Sequence, residues 1–126
     1  MNSRAYFQEF QESILAVPHV IQSNLTFDEI SESECYIRGL LKLSGGFELY
    51  VSEYVVTDPD IKRLKYRYHL QTLDNQFIAR WDNTAHHPEI DTHPYHLHLA
   101  QSSVKASPVM NIDQVLVAVL AYLPQD

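Results

Sequence analysis

Residues 35–56 read CYIRGLLKLSGGFELYVSEYVV and carry the clearest period-two pattern of the chain. In the first half, the apolar Ile37, Leu41 and Leu43 alternate with the polar Arg38 and Lys42. Successive side chains of a β-strand point to opposite faces of the sheet, so this alternation predicts a strand with one apolar face over residues 35–43. The glycine pair that follows predicts a tight turn, and the apolar run 47–56 predicts the second strand of an antiparallel hairpin.

The alternation continues towards the C-terminus. Residues 62–73 predict a third strand with an apolar and a basic face: Leu64, Tyr66, Tyr68 and Leu70 on one, and Arg63, Lys65, Arg67, His69 and Gln71 on the other. A turn at residues 74–75 leads into a strand at 76–82, and weaker patterns predict strands at 20–30 and 95–100. Strands that are close in sequence usually pair with each other, so we predict an antiparallel β-meander of five or six strands.

Helices are predicted at both ends of the chain. Near the N-terminus, apolar residues recur at helical spacing after Ser3, which we interpret as the N-cap, and the helix ends before Pro18. Near the C-terminus, Asn111 and Gln114 form a capping-box pattern at the start of a mostly apolar helix that ends before Pro124. These helices are the elements available to cover the apolar face of the sheet. The predicted fold class is therefore α+β, with residues 1–126 in a single domain.

The composition excludes several classes of protein. The formal net charge of −7 argues against a protein that coats nucleic acid nonspecifically, because such proteins need an excess of Lys and Arg. Most of the cations nevertheless lie between positions 35 and 80. No apolar run approaches the roughly 18 residues of a membrane span, and the first residues do not resemble a signal peptide, so we expect a cytoplasmic protein without membrane association. The single Cys35 falls within the apolar alternation and is expected to be a buried thiol.

The basic face of the third predicted strand is the first candidate for function. Arg63, Lys65, Arg67 and His69 are spaced by two residues, so neighbouring side chains lie on one side of the strand about 7 Å apart. Such a row could bind phosphate groups. The alternative is an ordinary solvated sheet face, where Lys and Arg are usual.

The second candidate is the run IARWDNTAHHPEIDTHPYHLH at residues 78–98, in which five histidines lie within 13 residues. In one interpretation, His86 or His87 is a general base on a ribose hydroxyl and a second histidine is the general acid. Arg80 or Arg67 would then stabilise the charge that develops on the phosphorus centre. Both proton transfers suit the ordinary pKa of imidazole, and no metal is needed.

Two other interpretations of this run stay open. His96 and His98 point the same way from a strand and, together with His86 or His87 and with or without Asp82, could coordinate zinc, iron or nickel. Alternatively, the run is a hydrogen-bonded brace, in which Arg80 and Asp82 supply charge-assisted bonds and Asn83 an Asx turn.

Glu53 is an acid on the apolar face of its predicted strand. A carboxylate in such surroundings needs a polar partner, because an isolated buried charge is costly. We expect Arg38, Arg80 or a histidine of the candidate site to fill that role.

These residues resemble the TumE family, whose members are toxins of prokaryotic toxin–antitoxin pairs. The resemblance runs through GFELYVSEY at residues 46–54, YRYHLQ at 66–71 and, most specifically, the histidine-rich run at 78–98. The family pattern there, RYDNAPHH followed by TFPHHKH, matches Arg80, Asp82, Asn83, His86, His87, Thr92, Pro94, His96 and His98. Upstream it matches Glu53, Tyr54, Tyr68 and His69. Leu97 stands where the family has a lysine, which weakens an expectation of strong RNA binding.

The resemblance implies a cytoplasmic type II toxin that is neutralised by a cognate antitoxin, expected to be a helix-turn-helix DNA-binding protein. The plan also resembles small metal-independent ribonuclease toxins, so we expect an RNA substrate and no metal or cofactor, and a homodimer stays open. The residues expected to catalyse are His69, His86, His87, His96, His98 and Arg80. Those expected to bind are Lys65, Arg67, Asp82, Asn83, Glu53 and Tyr68. The alternatives are a non-enzymatic protein-binding domain and a protein with a histidine-ligated metal.

Overall fold

The computed structural model describes residues 1–83, 95–99 and 103–124. Their elements are α1 (Ser3–Leu15), β1 (Val20–Ser31), β2 (Glu34–Leu43), β3 (Phe47–Val56), β4 (Lys62–Thr72), β5 (Phe77–Asp82), β6 (His96–Leu99), β7 (Val104–Ala106) and α2 (Ile112–Ala118), which continues as a 3₁₀ turn at Val119–Ala121. The strands form one antiparallel sheet whose spatial order is the chain order. The predicted α+β meander is confirmed, with one strand more than expected.

The additional strand is β7. It has only three residues, and two of them, Lys105 and Ala106, are exposed, so no alternation marks it in the sequence. It is held by pairing with β6, where Ala106 lies opposite His96 and Val104 opposite His98. A strand this short depends on its neighbour for stability.

The predicted start of α2 agrees with the structure, whereas the N-cap of α1 differs from the predicted residue. The N-cap of α1 is Asn2, not Ser3: its side chain accepts a hydrogen bond from the Ala5 amide at 2.8 Å. Ser3 is buried instead, and its hydroxyl donates to the Ser31 carbonyl at 3.0 Å. The predicted capping box of α2, between Asn111 and Gln114, is present. In the part of the chain that the structure describes, no helix is long and apolar enough to span a membrane.

Both helices pack on one side of the sheet, which we call the helix face; the opposite side is the open face. The core between helices and sheet includes Phe10 and Ile14 of α1, Val115 and Leu116 of α2, and the inward side chains of β2 to β5. His19 ties the two ends of the chain together, since its Nε2 lies 2.7 Å from the Leu116 carbonyl oxygen. Cys35 is fully buried in this core, as predicted.

A β-bulge in β4 changes which residues share a face. Tyr54 pairs with Lys65 and Val55 with Arg63, so Leu64 is an extra residue without a cross-strand partner. Leu64 is consequently half exposed, and Arg63 turns to the helix face, where it interacts with buried polar groups. The predicted assignment of faces was therefore wrong for Arg63, expected in the basic row, and for Leu64, expected on the apolar face. Lys65, Arg67 and His69 do lie on the open face.

Candidate functional site

The histidines and arginines of β4, β5 and β6 form two levels across the open face. The cross-strand register of the two levels is Arg67–Asp82–His96 and His69–Arg80–His98. Neighbouring strands lie about 4.8 Å apart, so three strands bring these six side chains into an area about 10 Å wide. The register of the meander, and not closeness in sequence, thus joins β4 to the histidine-rich run.

Asp82 is the centre of this cluster. Its Oδ1 lies 2.7 Å from His96 Nε2, while its Oδ2 lies 3.2 Å from Arg80 Nε and 3.4 Å from His98 Nε2. The His96 and His98 rings meet edge to face, with centroids 4.6 Å apart. One carboxylate therefore contacts three basic side chains. We call Asp82, Arg80, His96 and His98 the Asp82 cluster.

Burial within the Asp82 cluster is graded. The side chains of Asp82 and His96 are 1% and 0% exposed, whereas those of His98 and Arg80 are 13% and 28% exposed. A buried carboxylate beside an imidazole nitrogen orients the ring and favours a proton on that nitrogen. Asp82 and His96 therefore lie in the interior of the cluster, and the His98 and Arg80 side chains lie closer to its surface.

His69 lies beside the cluster on β4, directly opposite Arg80. Burial lowers its pKa, the nearby Arg80 and Arg67 lower it further, and a contact of 3.2 Å between its Nε2 and the Gln71 side-chain oxygen acts in the opposite direction. The ring also contacts Phe77, with centroids 5.2 Å apart. His69 is thus a neutral imidazole at neutral pH, beside two fixed positive charges.

Asn83 follows the cluster and fastens the end of β5 to the bulge of β4. Its side-chain oxygen accepts from the Tyr66 amide at 2.9 Å, and its side-chain nitrogen donates to the Leu64 carbonyl at 3.1 Å. The amide thus extends the contact between β4 and β5 beyond Asp82, which is the last β5 residue paired with β4 at this end. Asn83 therefore holds the backbone immediately next to Asp82.

A cleft of about 780 Å³ opens on the same face beside the cluster. It is lined by Tyr36, Ser52, Leu64, Lys65, Tyr66, Arg67 and Asn83. Lys65, Arg67 and Asn83 of the sequence-predicted set therefore share one concavity, and Arg67 joins it to the Asp82 cluster.

Glu53 and Tyr68 lie on the helix face and are not brought to the cluster. Glu53 is fully buried and accepts hydrogen bonds from the hydroxyls of Tyr6 and Tyr68, with Arg63 nearby. The expectation that Arg38, Arg80 or a site histidine serves as its partner was wrong.

Burial raises the Glu53 pKa, although the two tyrosine hydrogen bonds and the Arg63 charge oppose that shift. The tyrosine on α1 could not be inferred from alternation within the sheet, and Arg63 reaches the helix face only through the bulge. These side chains form a buried polar group beneath the sheet.

Two of the predicted catalytic residues, His86 and His87, lie outside the residues that the structure describes, as does His93. Within the described residues, the sequence-predicted catalytic set is thus represented by His69, Arg80, His96 and His98.

The cluster also offers metal donors. One ligand atom each from Asp82, His96 and His98 lies within 4.8 Å of the others, a compact set of two imidazoles and a carboxylate. Such a donor set suits zinc or iron. Arg80 Nε, however, lies 3.2 Å from Asp82 Oδ2 and places a permanent positive charge at one donor oxygen. That charge opposes a divalent ion at this oxygen.

A family model described as Toxin TumE matches residues 10–126, nearly the whole chain. The chain belongs to this toxin family, and membership implies an antitoxin as partner. No curated protein and no solved structure matches the chain at a significant level.

Proposed function

We propose that this member of the TumE family is the toxin of a type II toxin–antitoxin pair and acts as a metal-independent endoribonuclease. The observation that carries the proposal is the convergence of Asp82, Arg80, His96 and His98 on the open face, beside Arg67 and His69. Paired imidazoles next to guanidinium groups suit transesterification of RNA, because this reaction needs a base, an acid and stabilisation of phosphorane charge. In this proposal residues 1–126 act as one domain.

The proposed reaction begins with removal of the ribose 2′-hydroxyl proton by His98, the more exposed imidazole of the cluster. The 2′-oxygen attacks phosphorus, the bond from phosphorus to the 5′-oxygen breaks, and a second imidazole gives its proton to that leaving oxygen. The products are a 2′,3′-cyclic phosphate and a free 5′-hydroxyl. We assign the acid to a second histidine, His86 or His87, which the sequence had predicted as the base. The lowered pKa of His69 leaves that ring neutral and unsuited to the acid role.

The remaining groups have supporting roles in this proposal. Arg80 and Arg67 stabilise the negative charge that builds on the phosphoryl oxygens. Asp82 orients His96 through the 2.7 Å contact, and His96 in turn packs against the His98 ring. His96 is a positioning residue here, because its side chain is fully buried.

The partner in this proposal is a cognate antitoxin with a helix-turn-helix DNA-binding domain. A toxin that acts on cellular RNA must stay inactive until release, so the antitoxin should block access to the open face. A homodimer of the toxin is compatible with the proposal.

Growth and cleavage assays together test the ribonuclease proposal. Induction of the wild-type chain without antitoxin should arrest growth, and the purified chain should cleave RNA in EDTA and leave 2′,3′-cyclic phosphate ends. His98→Gln should abolish both effects. His19→Gln is the matched control, since this histidine contacts the Leu116 carbonyl far from the cluster. A His98→Gln chain as toxic as its parent would contradict the assignment.

The compact donor set of Asp82, His96 and His98 also favours a second candidate, a metal-dependent activity at the same residues. Protein purified without a histidine tag should then contain about one zinc or iron per chain, a ratio typical of a single site. Loss of activity in EDTA and its return with one metal would support this candidate over the metal-independent reaction.

A further inference from the structure

The cleft beside the Asp82 cluster has a chemistry of its own. Lys65 and Arg67 are exposed cations on one of its walls. Tyr36 and Ser52 form another wall, with their hydroxyls 3.0 Å apart. Beyond it, the Arg38 guanidinium lies over the Tyr36 ring, 5.8 Å from its centroid. Cations, an aromatic ring and hydroxyl groups thus line one concavity.

The floor of the cleft is firmly held. Both polar atoms of the Asn83 side chain bond the β4 backbone, and Tyr66 is buried with its hydroxyl accepting from the Met110 amide at 3.3 Å. A preformed cleft binds a ligand without the cost of ordering its own walls. The volume of about 780 Å³ falls within the usual range of small-ligand pockets.

The register connects this cleft to the proposed chemistry. Arg67 lines the cleft and is also the cross-strand partner of Asp82, so the cleft and the cluster share an edge one strand spacing wide, about 4.8 Å. Ser52 and Arg38 continue the same row on β3 and β2. A chain of phosphates that runs across the strands would pass from the cluster into the cleft.

We propose that this cleft is a nucleotide subsite that selects single-stranded RNA, with a phosphate on Arg67 and Lys65 and the adjoining base stacked against Tyr36. The proposal rests on the proposed ribonuclease function and adds the substrate class and the binding residues. Stacking on an aromatic side chain requires a base that is not paired, which favours single strands over duplexes. The local cations supply the electrostatic attraction that a chain of net charge −7 lacks as a whole.

Binding is measured by fluorescence anisotropy with a labelled ten-nucleotide single-stranded RNA, in EDTA, on the cleavage-deficient His98→Gln background. Adding Arg67→Ala should weaken binding at least tenfold and lower the slope of log affinity against log salt by about 0.7, the value for one phosphate contact on a single strand. Tyr36→Leu should weaken binding about 5- to 150-fold, while Tyr36→Phe, which keeps the ring, should bind like its parent. Lys42→Ala is the control, because Lys42 is an exposed cation on the open face outside the cleft. Thermal melts must show that each variant is folded.

The outcomes separate this subsite from the ribonuclease proposal. If Arg67→Ala and Tyr36→Leu weaken RNA binding but the wild-type chain never cleaves RNA, the subsite stands and the catalytic proposal fails. If the wild-type chain cleaves RNA and both variants keep its affinity and KM, the subsite is wrong. A duplex of the same sequence that binds as tightly as the single strand also overturns it. The subsite is also wrong if Arg67→Ala and Tyr36→Leu bind RNA like the parent and differ from it only in that the antitoxin no longer neutralises them.

Discussion

Asp82 Oδ1 lies 2.7 Å from His96 Nε2, and both side chains are almost completely buried, although they belong to the open face, where the described residues place no helix. A carboxylate in such a place is costly unless it is paired with hydrogen-bond donors or cations. Arg80 and His98 approach its other oxygen. The arrangement therefore fixes the orientation of two imidazoles around one charge.

The variant Asp82→Asn tests whether the carboxylate acts through its charge and hydrogen bonds or only through the space that it fills. The amide has nearly the same shape, but it offers one acceptor oxygen and no charge, so it cannot balance both His96 and Arg80. We expect RNA cleavage by Asp82→Asn to fall at least about 100-fold, the usual lower limit for a disturbed acid–base system. The measurement is the initial rate on a fluorogenic RNA.

Asp28→Asn is the matched control for this loss. Asp28 is an exposed carboxylate on the same face, 3.8 Å from Arg38, and its replacement should leave the rate within about twofold because exposed ion pairs contribute little. Equal rates for Asp82→Asn and Asp28→Asn would show that the Asp82 carboxylate has no part in the reaction.

Asn83 should matter for stability through its two bonds to β4. Asn83→Ala removes both bonds and should lower the free energy of unfolding by about 1–3 kcal/mol. Asn83→Asp keeps an acceptor for the Tyr66 amide but cannot donate to the Leu64 carbonyl when ionised. Its free energy of unfolding should therefore lie between those of the wild-type chain and Asn83→Ala. Urea denaturation followed by circular dichroism gives these values.

Asn24→Ala, on the exposed edge strand β1, is the comparison and should change the unfolding free energy by less than about 0.5 kcal/mol. If Asn83→Ala is as mild as Asn24→Ala, the amide does not brace the bulge.

The sequence predicts most of the fold because its strands alternate cleanly and its turns are short. The hairpin of β2 and β3 follows directly from the period-two pattern and Gly45–Gly46, whose positive φ angles of 84° and 86° suit glycine. The α2 capping box was equally readable. Meander order then follows, since each strand pairs with its neighbour in the chain.

The bulges of β4 and β5 show why alternation alone does not assign every residue to the correct face. Alternation assigns residues to faces only while the register is unbroken, and an extra residue moves every following side chain to the other face. Leu64 is such a residue in β4, and Ile78 is another in β5, where Leu70 pairs with Ala79 but Gln71 pairs with Phe77. Phe77 thereby joins His69 on the open face, although simple alternation would group it with Ala79.

The sequence predicts which residues belong to the candidate site, but it does not predict how they are arranged in space. The spacing of His96 and His98 predicts a shared face, and the structure places both on Asp82. Their alignment with Arg67 and His69 depends on the register between β4 and β5, which the sequence does not specify.

His69 should make stability depend on pH. Its pKa is lowered in the folded chain by burial and by the neighbouring arginines, so between that value and the ordinary 6.5 the unfolded chain binds more protons. This group's contribution to stability is therefore complete above pH 6.5 and is lost as the pH falls through 6.5 towards the lowered pKa. His69→Gln should lose less stability than its parent between pH 7.5 and pH 5.5, as the shift in the urea midpoint shows. If the difference in stability between the parent and His69→Gln is the same at pH 7.5 and pH 5.5, the pKa of His69 is the same in the folded and unfolded chains.

Glu53 should have the opposite dependence on pH. Burial raises its folded pKa above the ordinary 4.5, so above pH 4.5 the unfolded chain releases its proton while the folded chain keeps it. The stability that this group contributes is full below pH 4.5 and is lost as the pH rises through the raised pKa. The Gln side chain of Glu53→Gln cannot titrate. Its free energy of unfolding, measured in urea, should therefore increase relative to that of the parent as the pH rises from 4.5 to 8.

A further variant, Glu53→Leu, separates the effect of the Glu53 hydrogen bonds from the effect of its charge. Gln keeps an acceptor for one tyrosine and a donor for the other, whereas Glu53→Leu leaves the hydroxyls of Tyr6 and Tyr68 buried without their acceptor. Relative to Glu53→Gln, which does not titrate either, the Leu variant should be destabilised by about 2–6 kcal/mol at every pH, because each of the two orphaned hydroxyls costs about 1–3 kcal/mol. Because Glu53 lies on the helix face, Glu53→Gln should cleave RNA as fast as the wild-type chain. A folded Glu53→Gln that loses cleavage would instead support the binding role predicted from the sequence, and would require the two faces of the sheet to communicate.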